Sequence, residues 1–284
     1  MSTFTGKVAV VTGAGSGIGR ALSTRLAREG ASLALCDVDA SGLADSAATA
    51  REAGARVYQA TLDVSDRAAV QRFAKDVRAE FGAIHQIYNN AGIAFVGPVE
   101  QTDYADLERV MDVNFWGVVH GTKEFLPYLI ESGDGHVVNI SSVFGIVSAP
   151  WMSGYDASKF AVRGFTEALR AELLATRRPV KVTVVHPGAV RTDIIEHADA
   201  VPGEDLDTLK SRFRKIASST PDGAARAILR GVGRGKPRVL VGPDARAAHL
   251  AQRVVGARYE DVAALVARWF VPSSNKTPGP VRPR

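Results

Sequence analysis

Short apolar segments rich in β-branched residues alternate with helix-length segments along most of the chain. The intervening segments are rich in Ala, Leu, Arg and Glu. This alternation predicts βαβ units, and therefore a parallel sheet covered by helices on both faces. The predicted strands are residues 7–12, 32–37, 57–64, 84–89, 136–142, 181–186 and 238–242. We therefore predict an α/β fold with a doubly wound parallel sheet in three layers.

The order of these segments also predicts how the chain is organised. A length of 284 residues is compatible with one large α/β domain, which we place at residues 1–244. Helical spacing over residues 245–270 predicts a helical extension packed on the same domain, and four prolines in residues 271–284 predict a disordered tail. Residues 189–220 form a long polar stretch, which indicates a lid or substrate loop.

The composition restricts the compartment and the cofactor chemistry. The single cysteine, Cys36, excludes an intrachain disulfide and favours a reducing compartment. No stretch has the ~18 uncharged apolar residues of a membrane helix, and the N-terminus lacks a secretory pattern. The six histidines have no metal-ligand spacing. We therefore expect a cytoplasmic protein with no integral membrane segment and no catalytic metal.

The net charge of +5 is unevenly distributed along the chain. Residues 203–284 hold 16 Lys and Arg against 7 Asp and Glu, whereas residues 1–202 hold 19 against 23. A basic last third can contact an anionic partner such as a phosphorylated carrier, a lipid surface or nucleic acid. Because the charges are dispersed and no basic run of five occurs, we favour a solvated surface and expect no nucleic-acid partner.

A glycine-rich turn, Thr-Gly-Ala-Gly-Ser-Gly-Ile-Gly over residues 12–19, joins the first predicted strand to the first helix. Glycines let a pyrophosphate approach the helix N-terminus, where free N–H groups favour an anion. The spacing differs from GxGxxG, and Arg20 after the last glycine excludes a P-loop. We predict a dinucleotide site whose contacts include Gly13, Ser16, Gly17, Ile18 and Gly19.

Asp37 ends the second predicted strand, 18 residues after Gly19. A carboxylate there can accept both hydroxyls of an adenosine ribose and repel a 2′-phosphate. The alternative is a cap on the helix that follows. Ser16 is not basic, and Val38 stands where an NADP enzyme often places Arg. The sequence therefore predicts NAD(H) as the cofactor and disfavours NADP(H).

Tyr155 and Lys159 lie four residues apart in a predicted helix over residues 154–177. Side chains at this spacing share a helix face, and a nearby cation lowers a tyrosine pKa, so that the phenol can act as a general acid and base. The spacing is common by chance and alone would indicate a surface pair. Ser142 ends the preceding strand, where its hydroxyl can hydrogen-bond a substrate carbonyl. For Ser141 we favour a role in the turn.

These motifs occur in an order that resembles the short-chain dehydrogenase/reductase family, in the branch with a TGxxxGxG turn and a YxxxK pair. The matching pieces are residues 12–19, Asp63-Val64, Asn89-Asn90-Ala91-Gly92, Asn114, Ser142, Tyr155-x-x-x-Lys159 and Pro187-Gly188 with Thr192. The resemblance covers about residues 5–242, and the ordered set is highly specific. It implies a Rossmann fold and a homodimer or homotetramer.

The resemblance also implies roles for individual residues. Tyr155 would exchange the proton with the substrate oxygen, and Lys159 would lower the Tyr155 pKa and hydrogen-bond the nicotinamide ribose. Ser142 would orient the carbonyl, and Asn114 would hold a water in a proton relay. The implied cofactor contacts beyond the glycine turn and Asp37 are Asp63 and Val64 at the adenine, Asn90, Ala91 and Gly92 along the cleft, Thr192 at the carboxamide, and Pro187, Gly188 and Val190, together with Tyr155 and Lys159. Asn90 would also support the sheet.

Substrate identity is weakly encoded. Apolar residues fall near the motif ends expected to surround the nicotinamide: Phe95, Val143, Phe144, Pro150, Trp151, Met152, Ile194 and Ile195. They favour an apolar pocket, although several are compatible with ordinary core packing. We predict an oxidoreductase that interconverts a bulky apolar alcohol and its ketone or aldehyde by hydride transfer with NAD(H).

Two other functions stay open. One is a non-catalytic dinucleotide sensor on the same fold, which the retained Ser142, Tyr155 and Lys159 disfavour. The other is a peripheral membrane-associated reductase that uses the basic C-terminal helix. That helix carries Arg246, Arg253, Arg258 and Arg268 beside Trp269 and Phe270. It could instead cover the pocket, pack across a dimer or block a tetramer contact, and we favour a packed helix with solvated arginines.

Overall fold

A seven-stranded parallel sheet forms the centre of the molecule in a computed structural model that describes residues 3–203 and 205–267. The strands are β1 (Val8–Thr12), β2 (Ser32–Asp37), β3 (Val57–Thr61), β4 (Gln86–Asn89), β5 (Phe95–Val96), β6 (Gly135–Ile140), β7 (Val180–Pro187), β8 (Asp199–Ala200) and β9 (Arg238–Val241). The order in the sheet is β3-β2-β1-β4-β6-β7-β9, and every pair is parallel. Strand order reverses between β1 and β4, which opens a crevice at the carboxyl ends of these strands.

Helices cover both faces of this sheet. They are α1 (Gly17–Arg28), α2 (Ala40–Glu52), α3 (Arg67–Phe81), α4 (Tyr104–Met111), α5 (Gly117–Glu131), α6 (Ser153–Ala175), α7 (Asp193–Glu196), α8 (Leu206–Ile216), α9 (Pro221–Gly233), α10 (Pro243–Val255) and α11 (Tyr259–Ala267). One buried cluster joins the sheet to α1, α2 and α9, and a second joins it to α3, α5 and α6. The predicted three-layer, doubly wound fold is confirmed.

Some predicted strands extend beyond the observed ones. The strand predicted at 57–64 ends at Thr61, and the one predicted at 136–142 ends at Ile140. In the first case the chain turns at Asp63, whose carboxylate accepts the Ser65 N–H at 2.8 Å. Residues 62–64 and 141–142 lie beyond the observed strands and line the crevice, so the sequence pattern overestimates the lengths of these strands.

Residues 189–220 contain more regular structure than the predicted lid or loop. They include α7, α8 and the two-residue strand β8, which pairs with β5 beside the main sheet. An ion pair at 2.8 Å between Arg109 of α4 and Asp199 of β8 ties this small sheet to the core. Two-residue strands have no measurable sequence periodicity, so the pattern could not predict them.

The predicted helix at 245–270 is divided into α10 and α11. Gly256 separates them with a φ of +64°, a conformation that glycine adopts without steric cost. The predicted tail at 271–284, together with Arg268, Trp269 and Phe270, lies outside the described residues. Within the described ranges, no helix is long and apolar enough to cross a membrane.

Gly121 should be required for the packing of α5 on β4. A Cβ at this position would overlap with the Asn89 side chain, so we expect Gly121→Ala to lower the free energy of unfolding by about 1–3 kcal/mol. Gly164 is the matched control, because it lies in the exposed part of α6 with open space around it. Gly164→Ala should stabilise the protein by about 0.5–1 kcal/mol. The free energy of unfolding of both variants is measured by urea titration. Equal effects at the two positions would contradict this account of the packing.

Candidate active site

The carboxyl ends of the central strands open into a cavity of about 1070 Å³. Residues from β2, β5, β6 and β7 line it, together with the loops that follow β1 and the other central strands. Most residues singled out from the sequence lie on its wall: Gly13, Ser16, Gly17, Ile18, Asp37, Asp63, Val64, Asn90, Ala91, Gly92, Ser142, Tyr155, Lys159, Pro187, Gly188, Val190 and Thr192. The structure thus collects residues from distant parts of the chain in one space.

Gly19 and Asn114 are not among the lining residues. Gly19 lies against the first glycine of the turn, since a Cβ at Gly19 would overlap with the Gly13 carbonyl oxygen. This glycine therefore permits close packing of α1 on the turn. Gly19 would therefore affect a bound dinucleotide indirectly, because it determines the shape of the turn.

The glycine turn forms a cradle at the N-terminus of α1. Gly13 and Gly17 adopt φ values of +63° and +49°, which are strained for other residues. Ser16 is the N-cap, and its side chain makes no capping hydrogen bond. The first-turn N–H groups of α1 therefore face the cavity without a side-chain cap, as an anion-binding helix terminus requires.

Asp37 is held beside this cradle by backbone donors. Its carboxylate accepts the Gly15 N–H at 2.7 Å and the Asp39 N–H at 3.0 Å. The N-cap of α2 is Asp39, which accepts the Ser41 N–H at 3.1 Å, so the alternative of Asp37 as the helix cap is wrong. A carboxylate has about four acceptor positions, and the two that remain can accept ribose hydroxyls.

The end of β4 lies against the glycine turn. Asn90 Nδ2 donates to the carbonyl oxygens of Thr12 and Gly13, both at 3.0 Å. Thr12 Oγ1 accepts the N–H groups of Asn90 and Ala91 at 3.0 and 3.1 Å. As the resemblance implied, Asn90 supports the sheet, because it joins β4 to the end of β1 beneath the cradle.

Asn114 lies in a π-helical turn, Asp112–Trp116, between α4 and α5. Its side chain is fully buried; it accepts the Ile93 N–H at 2.8 Å and donates to the Ile93 carbonyl and Ser158 Oγ, both at 3.0 Å. A Cβ on Gly92 would lie 3.0 Å from Asn114 Oδ1 and 3.2 Å from Lys159 Nζ, so these groups are neighbours. π-Turns often occur at functional sites, and the water-relay role stays a prediction.

Ser142, Tyr155 and Lys159 form a cluster at the end of β6. The Ser142 side chain lies close enough to the Tyr155 hydroxyl to lower its pKa, and Lys159 Nζ lies 5.5 Å from the centroid of the Tyr155 ring. Lys159 Nζ also donates to the Ile140 carbonyl at 3.3 Å. The backbone of Ser141 bonds to β7, while Ser141 Oγ donates to the Lys159 carbonyl at 2.8 Å, which ties the strand end to α6.

Burial controls the protonation of this cluster. It raises the pKa of Tyr155 to about 12, with the Ser142 hydrogen bond lowering it and Asp156 raising it further. It also lowers the pKa of Lys159 to about 8. The expected lowering of the Tyr155 pKa by Lys159 stays a prediction for the loaded site, since burial is the largest effect in the protein alone.

Sequence reasoning missed two polar residues that hold this cluster in place. His186 Nδ1 lies 2.8 Å from the Ser142 carbonyl, and because a carbonyl only accepts, Nδ1 carries the proton. Burial lowers the pKa of His186 to about 4, so the ring is neutral near pH 7. Asp156 accepts the Ala149 N–H at 2.7 Å, and burial raises its pKa to about 7. Neither residue has a distinguishing sequence signal, because each contact joins distant segments.

The other half of the cavity is apolar. Of the residues proposed for the substrate pocket, those on the wall are Val143, Phe144, Pro150, Trp151, Met152, Ile194 and Ile195. Phe95 is not one of them; it is buried with Val110 and Val201 in a separate cluster. Tyr155 packs edge-to-face against Phe144 and belongs to the cluster against which Met152 packs, so its hydroxyl lies at the boundary between the polar and apolar halves.

Metal ligation has no support in the part of the chain that the structure describes. Those residues contain no group of three or more His, Cys, Asp or Glu side chains that could hold a metal ion.

A parallel α/β fold with this cluster beside a glycine cradle is typical of short-chain dehydrogenases, and the chain belongs to that family. The family model for short chain dehydrogenases matches residues 7–201. The chain is therefore an oxidoreductase of the short-chain dehydrogenase/reductase family.

Individual relatives agree with this assignment. The oxidoreductase SadH of Mycobacterium tuberculosis is 53% identical over 272 residues, which cover 95% of this chain and 99% of the relative. Estradiol 17-beta-dehydrogenase 11 of Homo sapiens is 35% identical over 206 residues, covering 72% and 69%. A short-chain dehydrogenase from Burkholderia phymatum, solved in complex with NAD, superposes with a TM-score of 0.82 at 32% identity, covering 93% and 97%.

Lys159→Met should change how stability depends on pH. The folded-state pKa of Lys159 is lowered from 10.5 to about 8, so between these values the unfolded chain binds more protons than the folded one. Wild type therefore loses stability as the pH falls through this window, and the variant lacks that loss. We expect the variant to gain up to ~3 kcal/mol relative to wild type between pH 10.5 and pH 8 in urea unfolding.

The exposed Lys123 of α5 provides the control for the loss of one positive charge. If Lys159→Met and Lys123→Met give the same pH dependence, burial of Lys159 does not control its charge.

Proposed function

We propose that this chain is an NAD(H)-dependent oxidoreductase that interconverts an alcohol and its ketone or aldehyde. The observation that carries this proposal is the position of Tyr155. Its hydroxyl lies near Ser142 and Lys159, and it faces a cavity whose one half suits a dinucleotide and whose other half is apolar. These residues are proton donors and orienting groups for a reacting oxygen.

The residues of the polar half fit a dinucleotide. A pyrophosphate needs N–H donors and close backbone approach, and the α1 terminus with Gly13 and Gly17 supplies both. Asp37 would accept the adenosine ribose hydroxyls, and its charge would repel a 2′-phosphate. NAD(H) is therefore proposed over NADP(H). The proposed contacts along the rest of the cofactor are those named above on the cavity wall.

The chain's own residues supply the proton chemistry. NAD supplies hydride acceptance and donation when bound. Tyr155 donates a proton to the substrate oxygen when a carbonyl is reduced, and it accepts that proton when an alcohol is oxidised. Ser142 donates a hydrogen bond to the same oxygen, and the Lys159 ammonium stabilises the phenolate form of Tyr155. Because phenolate is required for oxidation and phenol for reduction, oxidation should be favoured at higher pH.

The apolar half supports a bulky apolar substrate. The aromatic and aliphatic residues on that wall contribute dispersion contacts and exclude water from the reacting oxygen. A cytoplasmic location, a homodimer or homotetramer, and residues 1–244 as one domain with a packed extension belong to the same proposal.

Tyr155→Phe should separate an enzyme from a sensor. Removing the hydroxyl eliminates the proton donor while keeping the ring that packs against Phe144. We expect turnover, followed by nicotinamide absorbance with apolar secondary alcohols, to fall by at least about 100-fold. NADH binding, followed by fluorescence, should change by less than about threefold. Unchanged turnover in the variant would exclude Tyr155 as the acid–base group. NADH binding by wild type without turnover of any alcohol or ketone would favour the dinucleotide sensor.

Asp37→Asn should alter the choice between cofactors. Asn keeps an acceptor for the Gly15 N–H but removes the charge that repels a 2′-phosphate. We expect the ratio of the NADPH to the NADH dissociation constant to fall by about 10- to 100-fold, measured by fluorescence titration. Asp39→Asn is the control, because Asp39 caps α2 and also lies at the cavity. An equal shift for both variants would contradict a specific role of Asp37.

A further inference from the structure

The last two described helices are anchored on both sides of the cavity. At the start of α10, Asp244 Oδ2 accepts the Ala189 N–H at 2.5 Å, on the cofactor side beyond β7. At the start of α11, the Tyr259 hydroxyl accepts the Ser148 N–H at 3.2 Å and lies 3.5 Å from Ser148 Oγ. Ser148 follows Ser142 on the substrate side. The segment between the anchors therefore spans the cavity.

One face of this segment lines the cavity and the other faces solvent. Ala248, Ala251 and Val255 are on the wall, at the spacing of one helix face in α10, and Tyr259 and Ala263 continue the wall in α11. The bend at Gly256 lets the lining continue from one helix to the next. On the opposite face, Val254 is 77% exposed and is not a wall residue.

The inward face of α10 carries small side chains, although other segments supply large ones to the same cavity. Alanines occupy two successive wall positions of α10, whereas α8 supplies Phe213 and Ile216 to the same cavity. Phe213 packs in the cluster that contains Tyr155. The apolar surface thus continues from the reacting hydroxyl to the space left by the alanines.

We propose that α10 and α11 form the distal wall of the substrate cavity, and that Ala251, with Ala248, sets the size of the apolar group that a substrate can carry. This rests on the proposed oxidoreductase function. The substrate class it names is a secondary alcohol or ketone with a ring-sized apolar substituent on the reacting carbon. The Tyr259–Ser148 hydrogen bonds keep this wall at a fixed distance from the loop that follows β6.

The test is size exclusion by a single substitution. Ala251→Trp places an indole in the cavity, and Val254→Trp on the exposed face of the same helix is the matched control. With 1-(2-naphthyl)ethanol as the bulky alcohol and 2-butanol as the small one, Ala251→Trp should raise KM for the bulky alcohol by at least about tenfold. KM for 2-butanol and the dissociation constant of NADH should stay within about twofold. Val254→Trp should leave all three values unchanged.

A second variant covers the case in which the indole prevents folding. Ala251→Leu adds less volume than Ala251→Trp. It should also raise the KM ratio, which is the KM for 1-(2-naphthyl)ethanol divided by the KM for 2-butanol. Tyr259→Phe removes the acceptor for the Ser148 N–H and should raise KM for the bulky alcohol without changing NADH binding. If the KM ratio of Ala251→Trp and of Ala251→Leu equals that of wild type, the wall proposal is wrong.

The wall can be tested even if the chain turns over no alcohol. Nile red, an uncharged apolar dye, is titrated into the full chain in the presence of NAD, and its fluorescence gives a dissociation constant. Ala251→Trp should weaken dye binding by at least about tenfold relative to Val254→Trp. Absent turnover with this loss of dye binding would reject the proposed function and retain the wall. If the chain turns over alcohols but Ala251→Trp changes neither dye binding nor the KM ratio, the proposed function is retained and the wall proposal is rejected.

Discussion

A buried hydrogen-bond network beneath the candidate site holds α6 against the sheet. Asn89 of β4 donates to Thr122 of α5 at 3.1 Å and to Asn139 of β6 at 2.8 Å, and Asn139 donates to Thr166 of α6 at 3.0 Å. All four side chains are buried, so each lost partner would leave an unsatisfied polar group costing about 1–3 kcal/mol. Gly121 makes the close approach of α5 possible. Unlike apolar packing, which tolerates sliding, this network specifies one register of α5 and α6 on the strands.

That register decides where the reactive groups lie. With α6 fixed, Tyr155 and Lys159 face the end of β6, where Ser142 and the Ile140 carbonyl meet them. Burial of these two side chains also makes their charged forms costly. It raises the pKa of Tyr155 to about 12 and lowers the pKa of Lys159 to about 8. Such displaced pKa values, produced by burial beside a cavity, are typical of functional sites. The packing of α6 on the sheet therefore determines both where Tyr155 and Lys159 lie and how their pKa values are shifted.

The sequence predicted the sheet, the two-sided helix cover and most of the wall on the cofactor side. These predictions succeed because each feature depends on local chemistry. Buried parallel strands require continuous apolar runs, and the cradle requires glycine where φ is positive. The two-residue strands β5 and β8 and the break at Gly256 were missed, since tertiary contacts decide them. His186 and Asp156 were missed for a related reason. Their partners, Ser142 and Ala149, are known only once the chain is folded.

The two halves of the cavity differ in how far local sequence determines them. A dinucleotide presents fixed groups, so the side that suits it needs particular residues at particular spacings, and motifs result. An apolar substituent can be enclosed by any side chains of suitable volume, supplied here by the loop after β6, by α8 and by α10 with α11. These segments are far apart in sequence and meet only through contacts such as Tyr259 with Ser148. Under the proposed function, substrate choice therefore depends on how these distant apolar segments pack, and a motif cannot encode it.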